Sequence, residues 1–450
     1  MSRFRQLVEI GIMAGAALLA FTPQARGVAS FARQTNLPCS ACHTTLPELT
    51  PLGRVFKLNG YTMTGIQQIT SPSTRGADKA GLNLNTWLPI SAFFQVSFTS
   101  TNQAQPGTQN GNVEFPQAAS LFLAGAFSSH AGGFVQVTYS GSADHFSWDN
   151  TDLRYANRTK VGGKELIYGL TLNNNPTVED LWNDVPAWGF PWLAPDSTPG
   201  PLAGAIVDGG LAQDVAGLGV YAMYDGHLYG DFTAYRSEHL GGPQPPDGMG
   251  FNNIHGLAPY WRVAWQQSHG NNYLELGTYG MHVATSPNTV LTPTDTYNDV
   301  AADLQWERVF PSLHNDLLTV HSTYIHEDSD LTATFAGAGA NLPKHHLNTF
   351  RLDGIYHFGN KYALTGGAFS TKGTADPVLY AQAPLSGSAN GNPKTDGYIF
   401  NFSYWPVQNI QLAAQYTGYL DFNGAKTNYD GANRNASGNN SIYLVAWFIF

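Results

Sequence analysis

From residue 90 to the C-terminus, hydrophobic and polar residues alternate with a period of two. In 90–98, Ile90, Ala92, Phe94, Val96 and Phe98 share one face, and Ser91, Phe93, Gln95 and Ser97 share the other. Successive side chains of a strand point to opposite sides, so this pattern predicts a strand with one apolar face. Comparable stretches recur near 113–129, 133–141, 150–157, 164–172, 217–225, 227–236, 258–267, 272–284, 297–308, 315–326, 347–358, 361–370, 395–405, 408–420 and 440–450, which with the first makes about sixteen. Some meet at tight turns, Asp225-Gly226 and Gly359-Asn360, which carry hairpin-turn residues. Others are joined by long polar loops. An even number of strands with short and long connections is the pattern of an antiparallel transmembrane β-barrel.

Composition narrows the choice. Charged residues are 12% of the chain, about half the ~25% usual in soluble domains. Aromatics are 13%, mean hydropathy is −0.21, and after the N-terminus no apolar run approaches the ~18 residues of a membrane helix. Such a chain fits a barrel whose outer surface need not be charged. The last strand agrees: Ile442, Leu444, Ala446, Phe448 and Phe450 share one face, and the chain ends on an aromatic residue, as in the recognition signal of outer-membrane barrels. A soluble β-sandwich accounts less well for so many strands. The net charge of −10 argues against nucleic acid as a partner and is compatible with a cationic substrate or a basic redox partner.

Three segments are expected. Residues 1–30 read as a secretory signal: Arg3 and Arg5 precede an apolar stretch from Ile10 to Phe21, and Ala25, Gly27, Ala29 and Ser30 offer small residues for cleavage. Residues 31–75 form a short N-terminal segment broken by Pro38, Pro47 and Pro51 into turns of helix, and 76–450 form the barrel, with a Ser/Thr/Gly/Lys-rich linker at 70–85. The longest interruption, 173–216, carries Trp182, Trp188 and Trp192, which favours packing into the lumen or over its mouth.

The N-terminal segment holds Cys39-Ser40-Ala41-Cys42-His43, the C-x-x-C-H pattern of covalent haem attachment, and its two cysteines are the only ones in the chain. Two thiols at this spacing reach the two vinyl groups of one porphyrin, and the adjoining His43 supplies a proximal nitrogen to the iron. A redox pair lacks a surrounding βαβ pattern, and a zinc site lacks further local ligands. One covalent haem c is therefore expected. The segment is too short to bury it alone, so it needs the covalent cofactor, a partner surface, or both. Met63 is the nearest downstream methionine and the candidate distal ligand; His321 and His357, on the inner phase of their strands, compete with it. Asp299, Asp303 and Glu307 make an inner carboxylate stripe that could attract cations, or that belongs to an ordinary polar lumen. Arg351, Asp353 and His357 are expected to form a structural ion-pair network, and His345-His346 to be a solvated pair in a loop.

The run Phe31-Ala32-Arg33-Gln34-Thr35, the haem motif, Pro47-Glu48-Leu49, and then Gly53-Arg54-Val55-Phe56-Lys57-Leu58-Asn59-Gly60-Tyr61-Thr62 resembles the fused cytochrome–porin family, which includes outer-membrane iron-oxidising cytochromes. The resemblance implies one haem held by Cys39 and Cys42 and ligated by His43, followed by a barrel in the bacterial outer membrane. With an even strand number both termini face the periplasm, so the haem segment enters from that side. The expected function is electron transfer between an extracellular reductant such as Fe(II) and a periplasmic carrier; as an enzyme the chain would be an oxidoreductase. The alternative is a solute porin with a regulatory or vestigial haem plug.

Overall fold

The computed structural model describes residues 28–63, 88–238, 253–287 and 293–450. The expected linker and residues 1–27 of the expected signal lie outside the described residues. The strands are β1 (Ile90–Thr101), β2 (Asn112–Ala126), β3 (Ala131–Ser140), β4 (His145–Val161), β5 (Lys164–Asn173), β6 (Val215–Tyr224), β7 (Leu228–Ser237), β8 (Ala258–His269), β9 (Asn272–Ser286), β10 (Asp295–Phe310), β11 (Asp316–Asp330), β12 (Lys344–Phe358), β13 (Tyr362–Gly373), β14 (Thr395–Val407), β15 (Ile410–Asp421) and β16 (Ser441–Ile449). A two-residue piece, Asn253–Ile254, continues β8 across a break, since both pieces pair with β9. Each strand pairs antiparallel with its neighbours in sequence, and β1 pairs with β16 from Phe93 opposite Ile449 to Thr101 opposite Ser441, which closes the ring. The fold is thus a closed sixteen-stranded antiparallel barrel.

The connections are asymmetric, as expected from the sequence. At one end lie short turns at 127–130, 162–163, 225–227, 270–271, 311–315, 359–361 and 408–409. Asp225 and Gly226 both adopt positive φ there, at 54° and 69°. At the other end lie most of the long connections, the longest of them 174–214. The chain enters and leaves the wall at the short-turn end, where Ala92 and Phe450 exchange backbone hydrogen bonds of 3.1 and 2.8 Å.

Alternation sets the two faces. On β10 the residues Asp299, Ala301, Asp303, Gln305 and Glu307 are buried and point inward as their phase predicts, as does Asp295 at the strand's start, while Val300 is exposed on the outside. Leu170, Val220, Phe232, Val263 and Leu276 are likewise exposed around the ring. So many large apolar side chains exposed around one ring are unusual on a soluble monomer and fit a lipid surround. The apolar phase of these strands faces outward, and the core lies in the lumen.

Two elements fill that lumen. One is the N-terminal segment, with helices α1 (Ala29–Thr35), α2 (Cys39–Cys42) and α3 (Pro51–Leu58). Helix α1 overlaps the last two residues of the expected signal, Ala29 and Ser30, which are buried. The other is the 174–214 loop, in which Val178, Leu181, Trp182 and Val185 are fully buried. A fourth helix, α4 (Thr332–Ala336), lies in the loop after β11 and caps on Asp295, which accepts from the Ala333 amide at 2.8 Å.

One expectation fails. His345 and His346 lie on β12, not in a loop: His345 is buried, with Nε2 3.1 Å from Asp376, and His346 faces out, with Nδ1 2.9 Å from the Thr374 hydroxyl. Consecutive strand residues point to opposite faces, so the two histidines never share an environment.

The lipid-facing wall is testable. Val220→Arg should destabilise the barrel by ~2–4 kcal/mol if it lies near the bilayer midplane. Urea titration in lipid vesicles checks this, and an unchanged midpoint would mean that β6 does not face lipid.

Candidate functional site

The C-x-x-C-H run forms a single helical turn. Pro38 opens α2, and the His43 amide closes it on the Cys39 carbonyl at 2.8 Å. Cys39 and Cys42 line one cavity together with His43. The turn is locked from below by Thr50. Its hydroxyl donates to the Ala41 carbonyl at 2.6 Å, its amide donates to the Cys42 carbonyl at 3.0 Å, and it caps α3 by accepting from the Gly53 amide at 3.2 Å. Gly53 has no alternative here, because a Cβ at that position would stand 2.3 Å from the Cys42 carbonyl oxygen.

His43 is extended and pairs with Leu49 in an isolated bridge. Its Nδ1 lies 3.1 Å from the Glu48 carbonyl, to which it can only donate. That bond fixes the tautomer and leaves Nε2 as the free lone pair, the arrangement that orients histidine ligands generally. Burial is the main influence on the ring and pushes its pKa down to about 4, so the imidazole is neutral at neutral pH. Burial, with Cys39 adding to it, pushes the Cys42 thiol up to about 11.

The cavity measures about 430 Å³, within the ~300–1,000 Å³ range of cofactor and ligand pockets. Phe93, Phe122 and Phe134 from the wall face Trp188 and Trp192 from the long loop, and Trp447 comes from the last strand. Among the described residues, His43 is the only histidine that lines it and no methionine does. Met63 packs against Phe56, Tyr61, Phe122 and Phe134, which themselves line the cavity.

The wall histidines do something else. Glu48, 1% exposed, holds Oε1 3.5 Å from His321 Nε2 and Oε2 3.5 Å from His357 Nε2. His321 Nδ1 in turn contacts Asp353 at 2.9 Å. The expected network of Arg351, Asp353 and His357 is therefore not one network: Arg351 makes a two-pronged pair with Asp208 of the long loop, Asp353 serves His321, and His357 serves Glu48.

The carboxylate stripe is also committed to packing. Glu307 pairs with Arg54 of α3, which lies over the Tyr273 ring at 4.3 Å. Asp303 takes both prongs of Arg262, at 2.9 and 2.7 Å, and Asp299 accepts from the Val207 amide at 2.8 Å. Lys57, a residue without an assigned role in the sequence reading, joins plug to loop: its ammonium donates to the Val178 carbonyl at 2.8 Å and to Asn183 Oδ1 at 2.9 Å, and it lies 4.9 Å from the Trp188 ring centre. Tyr61 donates to Asp152 at 2.6 Å, and Tyr221 donates to the Leu58 carbonyl at 2.9 Å. The segment is thus pinned on several sides near the short-turn end, where the Cys39 amide also reaches Gln408 at 3.2 Å. The signal of these contacts in the sequence was the presence of Glu48, Arg54 and Lys57, charged residues within a short proline-broken run.

No protein-family model and no curated protein matches the chain. Solved structures similar to it include an anion-selective porin from Comamonas acidovorans (10% identity, 80% of this chain and 98% of that one, TM-score 0.48) and the outer membrane channel DcaP of Acinetobacter baumannii (12%, 83% and 98%, 0.46). A third is OprB of Pseudomonas putida (11%, 80% and 93%, 0.46). The similarity is one of barrel fold.

Docking of the motif turn onto α3 gives a second test. Gly53→Ala would overpack the Cys42 carbonyl, a defect typically costing ~1–3 kcal/mol. Arg54 and Lys57 should then become cleavable by trypsin in the folded barrel, while the wild type resists. Equal resistance would show that the contact is not needed.

Proposed function

We propose that this chain is a monohaem c-type cytochrome fused to an outer-membrane barrel, and that it moves electrons between an extracellular donor and a periplasmic carrier. The observation that carries this reading is the C-x-x-C-H turn itself, set against an aromatic cavity with His43 Nε2 left free by the Glu48 carbonyl. The residues fit the group. Cys39 and Cys42 would hold it through thioethers and His43 would ligate its iron, and Phe93, Phe122, Phe134, Trp188 and Trp447 supply aromatic walls. A bound haem c supplies one-electron chemistry. The chain's own residues supply the rest: Phe93, Trp188 and Trp447 exclude water, Glu48 orients His43, and the pinned segment keeps the site at the short-turn end. Short turns face the periplasm in outer-membrane barrels, which puts the site within reach of a periplasmic carrier. Fe(II) is the candidate donor, in line with the family that the N-terminal run resembles.

Met63 remains the candidate distal ligand, two residues from Tyr61, which lines the cavity. A wild-type spectrum without the near-infrared band of methionine–iron ligation, or a Met63→Leu variant that keeps it, would assign the distal side to another group.

A second reading, a solute porin with a haem plug, draws on the wall alone, since a sixteen-stranded barrel is wide enough for an aqueous channel when empty. The buried contacts of Arg54, Lys57 and Tyr61 inside the lumen belong to a seated plug and are common to both readings.

Two measurements separate the readings. Denaturing gels of the purified protein should stain for covalent haem, and the Cys39→Ser, Cys42→Ser double variant should not; staining that survives in the double variant overturns the haem assignment. Liposomes carrying the wild type should swell slowly in sugar solutions. Rapid swelling would favour the porin.

A further inference from the structure

A second cluster lies deeper in the lumen and has no part in the cofactor cavity. Arg262 on β8 is fully buried and is surrounded by four carboxylates: Asp180 and Asp184 from the long loop, Glu275 from β9 and Asp303 from β10. One guanidinium cannot neutralise four carboxylates, and burying uncompensated charge is strongly unfavourable. The excess is local. Asp184, 6% exposed, has no hydrogen-bond partner on either carboxylate oxygen, and its nearest guanidinium contact is 3.8 Å away. Glu275 is fully buried and its Oε2 also lacks a partner. Directly across the ladder from Glu275 stands Gln305, fully buried, whose side-chain oxygen is unpartnered as well.

We propose that Asp184, Glu275 and Asp303 form a binding site for an oxygen-coordinated divalent cation. One oxygen from each lies within 4.8 Å of the others. Three donors at ~2.1–2.2 Å from one small divalent ion average at most ~3.7 Å apart, so side-chain closure of up to about an ångström completes the site. Carboxylate donors without thiol or imidazole suit Mn²⁺, Fe²⁺, Mg²⁺ or Ca²⁺ rather than Cu⁺ or Zn²⁺. The floor is Gly277, where a Cβ would stand 2.5 and 2.6 Å from the two Asp303 oxygens and 2.7 Å from Glu275 Oε1. Asp303 keeps Arg262 as its second partner, which orients it toward the ion. The site stands independently of the haem reading. Where that reading holds, the ion is held by the residue that follows Asn183, which lines the cofactor cavity.

The test is Mn²⁺ titration of the full-length purified barrel, followed by loss of the free-ion electron paramagnetic resonance signal. Wild type should retain one Mn²⁺ that Asp184→Asn, on the loop, and Glu275→Gln, on the wall, do not. The Cys39→Ser, Cys42→Ser variant should retain it too, which separates this outcome from the fate of the haem. Heat-modifiable gel migration confirms that each variant is a closed barrel. Wild type that leaves all Mn²⁺ free, or Asp184→Asn that binds as wild type does, overturns the site and leaves shared protons as the charge balance. Because wild type alone can overturn the proposal, a variant that fails to fold does not rescue it.

Discussion

No backbone polar group of the wall can turn to lipid for a partner, and closure of β1 on β16 is what removes the last unpaired edge. Everything else follows from that ring. Closure fixes an even alternation of inward and outward residues, puts the apolar phase outside, and leaves a lumen that must be filled by something polar enough to match its walls. The N-terminal segment and the 174–214 loop meet that demand together. Each brings cations or carboxylates that the wall answers, as in Arg54 with Glu307 and Asp180 with Arg262.

The interior is held by apolar packing, as where Val185, Val207 and Leu211 of the loop meet Tyr235 and Tyr260 of the wall, and by buried charge pairs. Removing one partner of a buried pair leaves the other stranded, at a cost of ~3–5 kcal/mol, whereas the intact pair contributes much less. Such interactions specify position more than they add stability. They place the motif turn beside the cavity and place Glu48 between two histidines 36 residues apart in sequence, and they leave the 183–184 stretch of the loop touching both the cofactor cavity and the acidic cluster.

The wall was legible in the sequence because its information is local. A period of two reports strand and facing at once, and Asp225-Gly226 or Gly359-Asn360 reports a turn without reference to anything distant. The motif turn was legible for the same reason: three residues at fixed spacing. The interior was not. Nothing in the period of β11 or β12 says that His321 and His357 will meet Glu48, and the inner phase of Arg351 does not reveal that its partner is Asp208 on a loop. His345-His346 was misplaced because β12 runs further beyond the belt than the apolar alternation that marks it.

The close fit of Gly53 under the Cys42 carbonyl bears on transplantation. The five residues of the motif are not a portable module, because their shape is borrowed from Thr50 and from a glycine ten residues downstream of His43. Grafting the pentapeptide into an unrelated barrel would deliver two thiols and an imidazole with no fixed relation among them. The smallest unit that carries its own geometry runs from Pro38 through α3, and its outer surface already presupposes a wall with an acid at the position of Glu307 and histidines at those of 321 and 357.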